Sequence, residues 1–424
     1  MRLRFGLAAC AATLISGAAL AADFNVWGIQ TFNPEADRYI GEQVAAFGQE
    51  NGIEAEYVVV PANVLNERLA AAFEGGAPPD VFMTVGAQIQ YYMSQGLTIP
   101  LGDVLDEMKA VEGGIYENVV VQGVYEGEVQ ALPLELDVVP MYARTDLLEE
   151  AGQKLPETWE EFRAAAKAVQ EKNPMVVAAG IAVSNANDAE GNLRTIIWSF
   201  GGSLYSEDGK TITFDSPETR AAYQFISDLF FVDKTLPRSA LTWDDAGNNT
   251  AYQTGRAAFV INPPSIFAWL QENDKELLDN TQLIVIPKGP GPNGIHGSPA
   301  SAWVWAASKG AEHHDLAKAW LRYFFEPDRY QHVIEQVGGR WLPVYKSMID
   351  LPLFADVPQY AQFGSMAESG IVSGYKGPPS ALTGEVFNAK IVTAVAQKIL
   401  VDEISVEEAV AWGQAEMEKL AAKH

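Results

Sequence analysis

Residues 24–83 begin with Phe24-Asn25-Val26-Trp27 and end with Pro79-Asp80-Val81-Phe82-Met83. Both ends, together with residues 54–60 between them, are rich in β-branched and aromatic residues, as is typical of strands. The two intervals between these strands, residues 34–51 and 64–73, carry apolar residues at helical spacing. This β-α-β-α-β run predicts a largely parallel sheet that is covered by helices.

The same alternation of elements resumes further along the chain. Thr158 with Glu161 forms a capping box before an amphipathic helix, Ser216-Pro217 opens a second helix, and Ser405 with Glu408 opens the last one. Neither an internal repeat nor a low-complexity linker separates these units. We therefore expect two α/β lobes that are joined by several rigid crossings, with a ligand cleft between them.

The composition limits the classes of partner. The 424 residues include 29 Lys+Arg and 55 Asp+Glu, which gives a formal net charge of −26 at pH 7. Such acidity disfavours nucleic acid and anionic membrane surfaces as partners. The fractions of 48% hydrophobic and 20% charged residues are those of an ordinary folded protein. Cys10 is the one cysteine, so internal disulfides and cysteine-based metal clusters are excluded.

The N-terminus has the pattern of a secretory signal peptide. Met1-Arg2-Leu3-Arg4 is basic, residues 5–15 are apolar, and Ala19-Leu20-Ala21 has the small-x-small pattern that signal peptidase accepts. We expect residues 1–21 to be removed after Ala21 or Ala22. No later run approaches the ~18 apolar residues of a membrane span. The prediction is a periplasmic protein without membrane insertion.

Motifs of catalysis, metal binding and cofactor binding are missing from the sequence. It has no HExxH, phosphate loop, GxGxxG after a strand, or GxSxG. His313-His314 would chelate a metal poorly, because adjacent helical residues point about 100° apart. No catalytic residue, metal or cofactor is therefore assigned. A glycosidase pair of carboxylates has no fixed spacing, so a secreted carbohydrate-active enzyme stays an alternative.

Aromatic and polar residues outside clean helical patterns indicate where a sugar would bind. A flat aromatic ring covers the apolar face of a sugar, and Asp, Asn, Gln and Arg bond its hydroxyls. Trp303 and Trp305 alternate in a strand-like run and so face one side, which is core or cleft. Four long stretches are rich in turn residues: 184–192, 241–250, 289–297 and 370–379.

Five short motifs occur in a fixed order along the chain: Gly76-Ala77-Pro78-Pro79-Asp80-Val81-Phe82; Tyr125-Glu126-Gly127 through Ala131-Leu132-Pro133, then Met141-Tyr142 and Thr145-Asp146-Leu147-Leu148; Leu155-Pro156-Glu157-Thr158-Trp159-Glu160-Glu161-Phe162; Gly255-Arg256-Ala257-Ala258-Phe259; and Gly338-Gly339-Arg340 with Leu342-Pro343-Val344. In these motifs the chain resembles bacterial extracellular solute-binding proteins of the maltose-binding class, the receptors of carbohydrate ABC importers. Each motif is short, but their common order over most of the mature chain makes the resemblance specific.

The resemblance implies an α/β fold of the two-lobe periplasmic binding protein class (Venus-flytrap, type II-like), in which each lobe is a mostly parallel sheet with helices on both faces. Crossings are implied near Glu135, near Ala302 and at residues 339–345. The N-terminal lobe then combines residues 22–135 with 302–338, and the C-terminal lobe combines 136–301 with 339–424. The lobes close on a ligand by hinge rotation, and the closed monomer docks on an inner-membrane ABC permease.

The resemblance also implies a set of ligand-binding positions. Asp137, just past the first crossing, is the expected acceptor for sugar hydroxyls. The maltose receptors carry a charged pair where this chain has Ala87-Gln88, and they stack a Trp after the Gly-x-Ala-Ala strand where this chain has Asn262-Pro263-Pro264-Ser265. The remaining expected contacts are the polar or loop residues Gln30, Thr31, Phe32, Gln88, Asn185, Asn187 and Arg340, and the stacking candidates Trp243, Trp303, Trp341 and Tyr375.

Two ligand classes follow for this fold. The first is a neutral carbohydrate or polyol that is delivered unchanged to an importer. The second is a cation such as a polyamine, held by acids among Glu135, Asp137, Asp244 and Asp245. Arg340 near the third crossing would repel a cation, so it favours the first class.

Overall fold

The structure is a computed structural model that describes residues 22–31 and 33–423. The predicted signal peptide and Phe32 lie outside the described residues. The strands, in chain order, are β1 (Phe24–Ile29), β2 (Ala55–Val60), β3 (Val81–Val85), β4 (Val124–Tyr125), β5 (Glu128–Val129), β6 (Ala131–Pro133), β7 (Asp137–Val138), β8 (Met141–Arg144), β9 (Val177–Gly180), β10 (Ala257–Ile261), β11 (Thr281–Ile284), β12 (Ala300–Ser301) and β13 (Trp303–Ala307).

The α-helices are α1 (Pro34–Asn51), α2 (Leu65–Glu74), α3 (Gly86–Ser94), α4 (Gly102–Lys109), α5 (Glu117–Val120), α6 (Thr145–Glu150), α7 (Trp159–Lys172), α8 (Asn187–Ser199), α9 (Pro217–Ser227), α10 (Gly247–Gln253), α11 (Ser265–Asn273), α12 (Lys275–Asp279), α13 (His314–Phe324), α14 (Pro327–Gln336), α15 (Pro352–Ala355), α16 (Pro358–Ser369), α17 (Ala381–Asn388), α18 (Ile391–Leu400) and α19 (Val406–Ala421). Short 3-10 helices span Ala62–Val64, Val121–Gly123, Arg238–Thr242 and Lys346–Asp350, and a π-helical turn spans Asp228–Val232.

The first β-α-β-α-β run is confirmed. The Asn33 side chain accepts the backbone N–H groups of Glu35 and Ala36 at the start of α1, and Gly52 ends that helix with a φ of 69°. β1 pairs in parallel with β2 and with β3. The capping box of Thr158 with Glu161 is also present at the start of α7.

Two main sheets define the two lobes of the α/β fold. The first lobe contains the sheet β2-β1-β3-β13-β6, and the second lobe contains the sheet β11-β8-β10-β9. β13 is antiparallel to β3 and β6, and β8 is antiparallel to β10 and β11. In each sheet a single described strand, β13 or β8, runs opposite to the others, so the expectation of mostly parallel sheets is confirmed. β8 and β13 each follow a passage from the other lobe, so they enter their sheets from the opposite end.

Buried apolar residues form two clusters. The first lies in the first lobe around residues such as Phe82, Trp305 and Trp320, and it continues through α16 to one face of the second sheet. The second lies on the other face of that sheet, around Phe162 and Phe259. Among the described residues, no helix combines the length and apolar character needed to cross a bilayer.

Three stretches of chain lie side by side between the sheets. β7 pairs antiparallel with β12, and the Leu136 N–H donates to the carbonyl of Leu342 at 2.9 Å. The chain then contacts the first lobe, where the Lys346 N–H donates to the Gly114 carbonyl at 3.0 Å. The implied crossings fall on these stretches, and the lobe boundaries derived from the sequence stay a prediction.

Candidate ligand-binding site

One edge of the first sheet gathers polar and aromatic residues. β1 leads into Gln30 and Thr31, and β6 leads into Glu135. β13 runs in the opposite direction, so its first residue, Trp303, lies at this same edge, opposite Val85 at the end of β3. The carboxyl ends of parallel strands are the usual ligand-binding edge of an open α/β sheet.

The second sheet presents an edge of amides and hydroxyls. Asn262 follows β10 directly, and its side-chain Nδ2 donates to the Ser265 hydroxyl at 2.8 Å. Asn248, in α10, donates from Nδ2 to the side-chain oxygen of Asn262 at 3.0 Å. Asn249 donates to the same Ser265 hydroxyl at 3.1 Å. These bonds link two amides of α10 to the residues that follow β10.

A main cavity of about 360 Å³ lies between these two edges and takes residues from both lobes. Three tryptophans line it: Trp269 of α11, Trp303 of β13, and Trp341. Its other lining side chains that bear hydrogen-bonding groups include Gln30, Thr31, Glu135, Asp137, Asn187, Asp188, Asp245, Asn249, Asn262, Ser265 and Arg340. The arrangement offers flat apolar surfaces beside hydrogen-bonding groups, which is the chemistry that a polyhydroxylated ring requires.

A second, smaller cavity of about 130 Å³ adjoins the main one, and we call it the side chamber. It begins at residues that both cavities share: Asp137, Asn187, Asp188, Pro263 and Trp303. Its further walls come from β3 and α3 of the first lobe, from α8, and from α17. The two cavities are thus parts of one cleft.

The acids at the first crossing carry shifted pKa values. Burial raises the pKa of Glu135 well above its usual value, the neighbouring Asp137 raises it further, and the Trp303 N–H that donates to Glu135 opposes the shift. Burial raises the pKa of Asp137 to about 6. Among the described residues, no side chain or backbone group donates a hydrogen bond to the Asp137 carboxylate. Its oxygens are therefore available to a ligand.

A second group of charges lies at the start of α8. The Asp188 N–H donates to the Asp245 carboxylate at 3.0 Å. Burial raises the pKa of Asp188 well above its usual value, with further increases from Asp245 and Asp137. Lys390 donates to the side-chain oxygen of Asn187, and burial lowers the pKa of this lysine to about 8. These acids form no cluster suited to a metal ion within the described part of the chain.

Arg340 is a cation that lines the main cavity. Burial lowers the pKa of its guanidinium, and the charge of Glu272 opposes this shift. Arginine keeps its charge in proteins even so. Within the described residues its guanidinium makes no hydrogen bond or ion pair, so it presents free donors to the cleft.

The profile of a known family matches this chain over residues 32–330, more than half of its length, and the family is described as bacterial extracellular solute-binding protein. The chain belongs to this family. The solute-binding protein is also 24% identical over 347 residues to a protein of Brucella abortus (strain 2308) that is described as a binding protein, with 80% of each chain covered.

Solved structures share the fold of this solute-binding protein. The maltose-bound MalE3 of T. maritima superposes with a TM-score of 0.81 at 21% identity, covering 94% of this chain and 99% of that one. An ABC transporter solute-binding protein of Agrobacterium radiobacter K84 in complex with ribitol gives a TM-score of 0.80 at 18% identity, covering 94% and 98%. At these identities the likeness concerns the fold.

The structure of the solute-binding protein brings together seven of the residues expected from the sequence. All of them line the main cavity: Gln30, Thr31, Asp137, Asn187, Trp303, Arg340 and Trp341. Thr31 is 3% exposed, and its hydroxyl donates to the Asn33 carbonyl at 2.8 Å. Its free hydrogen-bonding capacity is therefore smaller than that of Asp137 or Arg340.

Four expected residues line neither cavity, and Phe32 lies outside the described residues. Gln88 is 2% exposed inside α3 and accepts from the Thr84 hydroxyl at 3.2 Å. Asn185 is exposed, and Trp243 packs on the second cluster. The ring of Tyr375 lies edge-on to that of Trp198, with 6.1 Å between the ring centroids. Residues 187–192, expected as turn, belong to α8, which directs Asn187 to the cavity and leaves Asn185 outside.

Several lining residues were not predicted: Asp188, Asn249, Asn262 and Trp269. Asn262 had a sequence signal, because it is the first polar residue after the Gly-x-Ala-Ala strand and so marks a strand end. Trp269 lies four residues after Ser265, one helical turn further along α11. An aromatic side chain was expected directly after that strand, and Trp269 lines the cavity from one helical turn further along the chain.

Proposed function

We propose that this protein is the substrate-binding component of an ABC importer and that it binds a neutral carbohydrate or polyol between its lobes. The observation that carries the proposal is the main cavity, in which Trp269, Trp303 and Trp341 lie beside the Asp137 carboxylate and the Arg340 guanidinium. Neither of these two groups forms a hydrogen bond within the part of the chain that the structure describes. The tryptophans stack on the C–H faces of the ligand, Asp137 accepts its hydroxyls, and Arg340 donates to its oxygens.

The proposed transport cycle involves no chemistry on the ligand. Ligand contacts come from both lobes, so a closed form that joins the two half-sites binds more tightly than an open one. The closed monomer then docks on an inner-membrane permease from the periplasmic side. The family membership and the maltose and ribitol complexes of fold neighbours support this role.

Isothermal titration against monosaccharides, disaccharides, longer oligosaccharides and polyols tests the proposal. The protein is first stripped of copurified solutes, which are identified by mass spectrometry. We expect at least one panel member to bind with micromolar or tighter affinity. Trp303→Ala should weaken the binding of that ligand by about tenfold. Trp412→Ala, which removes a tryptophan of α19 that lines neither cavity, is the matched control. If no compound of the panel gives a heat of binding, the proposal is contradicted.

The acidic side chains favour a second candidate, a cationic solute such as a polyamine. Glu135, Asp137, Asp188 and Asp245 line the main cavity together with the guanidinium of Arg340. Because burial raises the pKa of Glu135 and of Asp188, the negative charge of this group is smaller than a count of acids suggests. Putrescine and spermidine therefore belong in the same titration panel, and heat from them alone would favour the second candidate.

A further inference from the structure

Gly191 occupies a position where packing within the protein gives no reason for a glycine. It lies inside α8 and lines the side chamber. A Cβ built on it meets no described atom within 4 Å, and its φ lies outside the left-handed region. Glycine is a poorer helix residue than alanine, so the helix gains nothing from it. The space next to its Cα is the side chamber itself.

The wall of the side chamber is mostly carbon. Val85 of β3, Val139 of the connection between β7 and β8, and Phe387 of α17 contribute apolar side chains. Some polar side chains of the wall form hydrogen bonds inside the protein, whereas Arg194 Nη1, Trp198 Nε1 and Ser373 Oγ have no hydrogen-bond partner among the described residues. The Arg194 guanidinium pairs with Glu190 at 2.9 Å, the Thr195 hydroxyl donates to the Gly191 carbonyl at 2.9 Å, and the Ser301 hydroxyl donates to Gln122 at 3.0 Å.

The size and position of the side chamber define what it can hold. Its volume of about 130 Å³ is similar to that of apolar cavities, about 150 Å³, that accept a benzene ring. It opens at Asp137 and Trp303, which also line the main cavity. A group in the side chamber can therefore be attached to a ring in the main cavity.

We propose that the side chamber is a subsite for a compact apolar substituent of the ligand, an aryl or short alkyl group of roughly six carbon atoms. The hydroxyl-bearing part of the same ligand occupies the main cavity, so this inference rests on the proposed function. The ligand class is thus an alkyl or aryl glycoside, or an equivalent ether of a polyol. Gly191 keeps the space for the substituent open.

Titration with matched glycosides tests the subsite. The probes are the methyl and phenyl glycosides of the sugar that binds best in the panel. We expect the wild-type protein to bind the phenyl glycoside about tenfold more tightly than the methyl glycoside, because the ring leaves water for an apolar wall. Gly191→Leu, which fills the chamber, should bring the ratio of the two affinities close to one. Gly191→Ala should lower it by less.

Val139→Phe narrows the chamber from the connection between β7 and β8, and it gives a second filling variant if the leucine variant does not fold. Circular dichroism and the melting temperature of each variant report on folding. A wild-type ratio near one would overturn the proposal. So would a high ratio that survives both Gly191→Leu and Val139→Phe, because the apolar group would then bind elsewhere.

Benzyl alcohol alone separates a failure of the subsite from a failure of the proposed function. Saturation-transfer NMR should detect its binding to the wild-type protein and no binding to Gly191→Leu. If no sugar or polyol of the panel binds, the proposed function fails, and this NMR result still decides on the chamber. Absence of a signal from the wild-type protein, or an equal signal from the leucine variant, would overturn the subsite.

Discussion

The backbone N–H of Trp303 donates to a carboxylate oxygen of Glu135 at 3.1 Å. The Leu134 N–H donates in turn to the Trp303 carbonyl at 2.7 Å. Trp303, which begins β13, is therefore hydrogen-bonded to Leu134 and Glu135, which follow β6. These bonds hold two of the stretches between the lobes in register. Trp303 lines the cleft in an orientation that Glu135 helps to fix.

Substitution of Glu135 separates its hydrogen bond from its charge. Glu135→Ala leaves the buried N–H of Trp303 without an acceptor and should lower the free energy of unfolding by about 1–3 kcal/mol. Glu135→Gln keeps an acceptor oxygen and removes a buried acid whose pKa burial raises, so it should be at least as stable as wild type at pH 8. Urea unfolding of the three proteins at pH 8 measures both effects. Equal losses in the two variants would show that the bond to Trp303 contributes nothing.

Asp137 should make stability fall as the pH rises. Burial raises its pKa from 3.8 to about 6, so the folded state binds the proton more tightly than the unfolded state does. The contribution of Asp137 to the free energy of unfolding is fully present below pH 4 and is lost progressively between pH 4 and about 6. Asp137→Asn removes this effect, so the variant should be more stable than wild type by roughly 3 kcal/mol at pH 7 and little different at pH 4.

Urea unfolding of ligand-free Asp137→Asn and wild type between pH 4 and 8 measures the difference in their free energies of unfolding. Asp402→Asn, which changes an exposed aspartate just before α19, should follow the wild-type pH profile. A gap that stays constant over the range would contradict the assignment of the pH dependence to Asp137.

The helix starts could be predicted from the sequence because their causes are local. Asn33, Thr158 and Ser216 each accept backbone N–H groups that lie two or three residues further on. The five ordered motifs were sufficient for the two-lobe fold, because such short motifs reflect a shared architecture. Asp137 was predicted as a site residue from its place directly after the first implied crossing, and it lines both cavities.

The remaining features depend on contacts between distant parts of the chain. The direction of β13 is set by its pairing with β3, more than 200 residues earlier, so the sequence around Trp303 did not show it. Trp303 and Trp305 share an alternation, yet Trp303 lines the cleft and Trp305 is 0% exposed in the core. The side chamber is lined by several elements, among them β3, α3, α8 and α17, and none of them indicates the chamber alone.

The direction in which Arg340→Gln changes the ligand affinity separates the two ligand classes. If the ligand is neutral, Arg340→Gln removes a charged donor and should weaken binding by about tenfold. If the ligand is a cation, the same substitution removes a repulsive charge and should strengthen binding. Titration of both proteins at low and at physiological salt measures the change, and charge repulsion must decrease with added salt. Arg256→Gln, at an arginine that lines neither cavity, is the matched control.

Gly384 lets α17 approach α3 closely, and this contact joins the two lobes. A Cβ at Gly384 would lie 2.9 Å from the Tyr91 nitrogen and 3.0 Å from the Ala87 oxygen, both backbone atoms of α3. α17 also contacts α18 and α19, and its Val386 belongs to the second cluster. Gly384→Ala should therefore push the helices apart and lower the free energy of unfolding by about 1–3 kcal/mol.

The same displacement should reduce the affinity for the phenyl glycoside, because Ala87 of α3 and Phe387 of α17 both line the side chamber. Gly102→Ala is the matched control, since a Cβ at the start of α4 meets no described atom within 4 Å. Urea unfolding and titration with the phenyl glycoside measure the two effects. A Gly384→Ala variant as stable as Gly102→Ala would mean that α3 and α17 tolerate a wider spacing, and the contact would then contribute little to holding the lobes together.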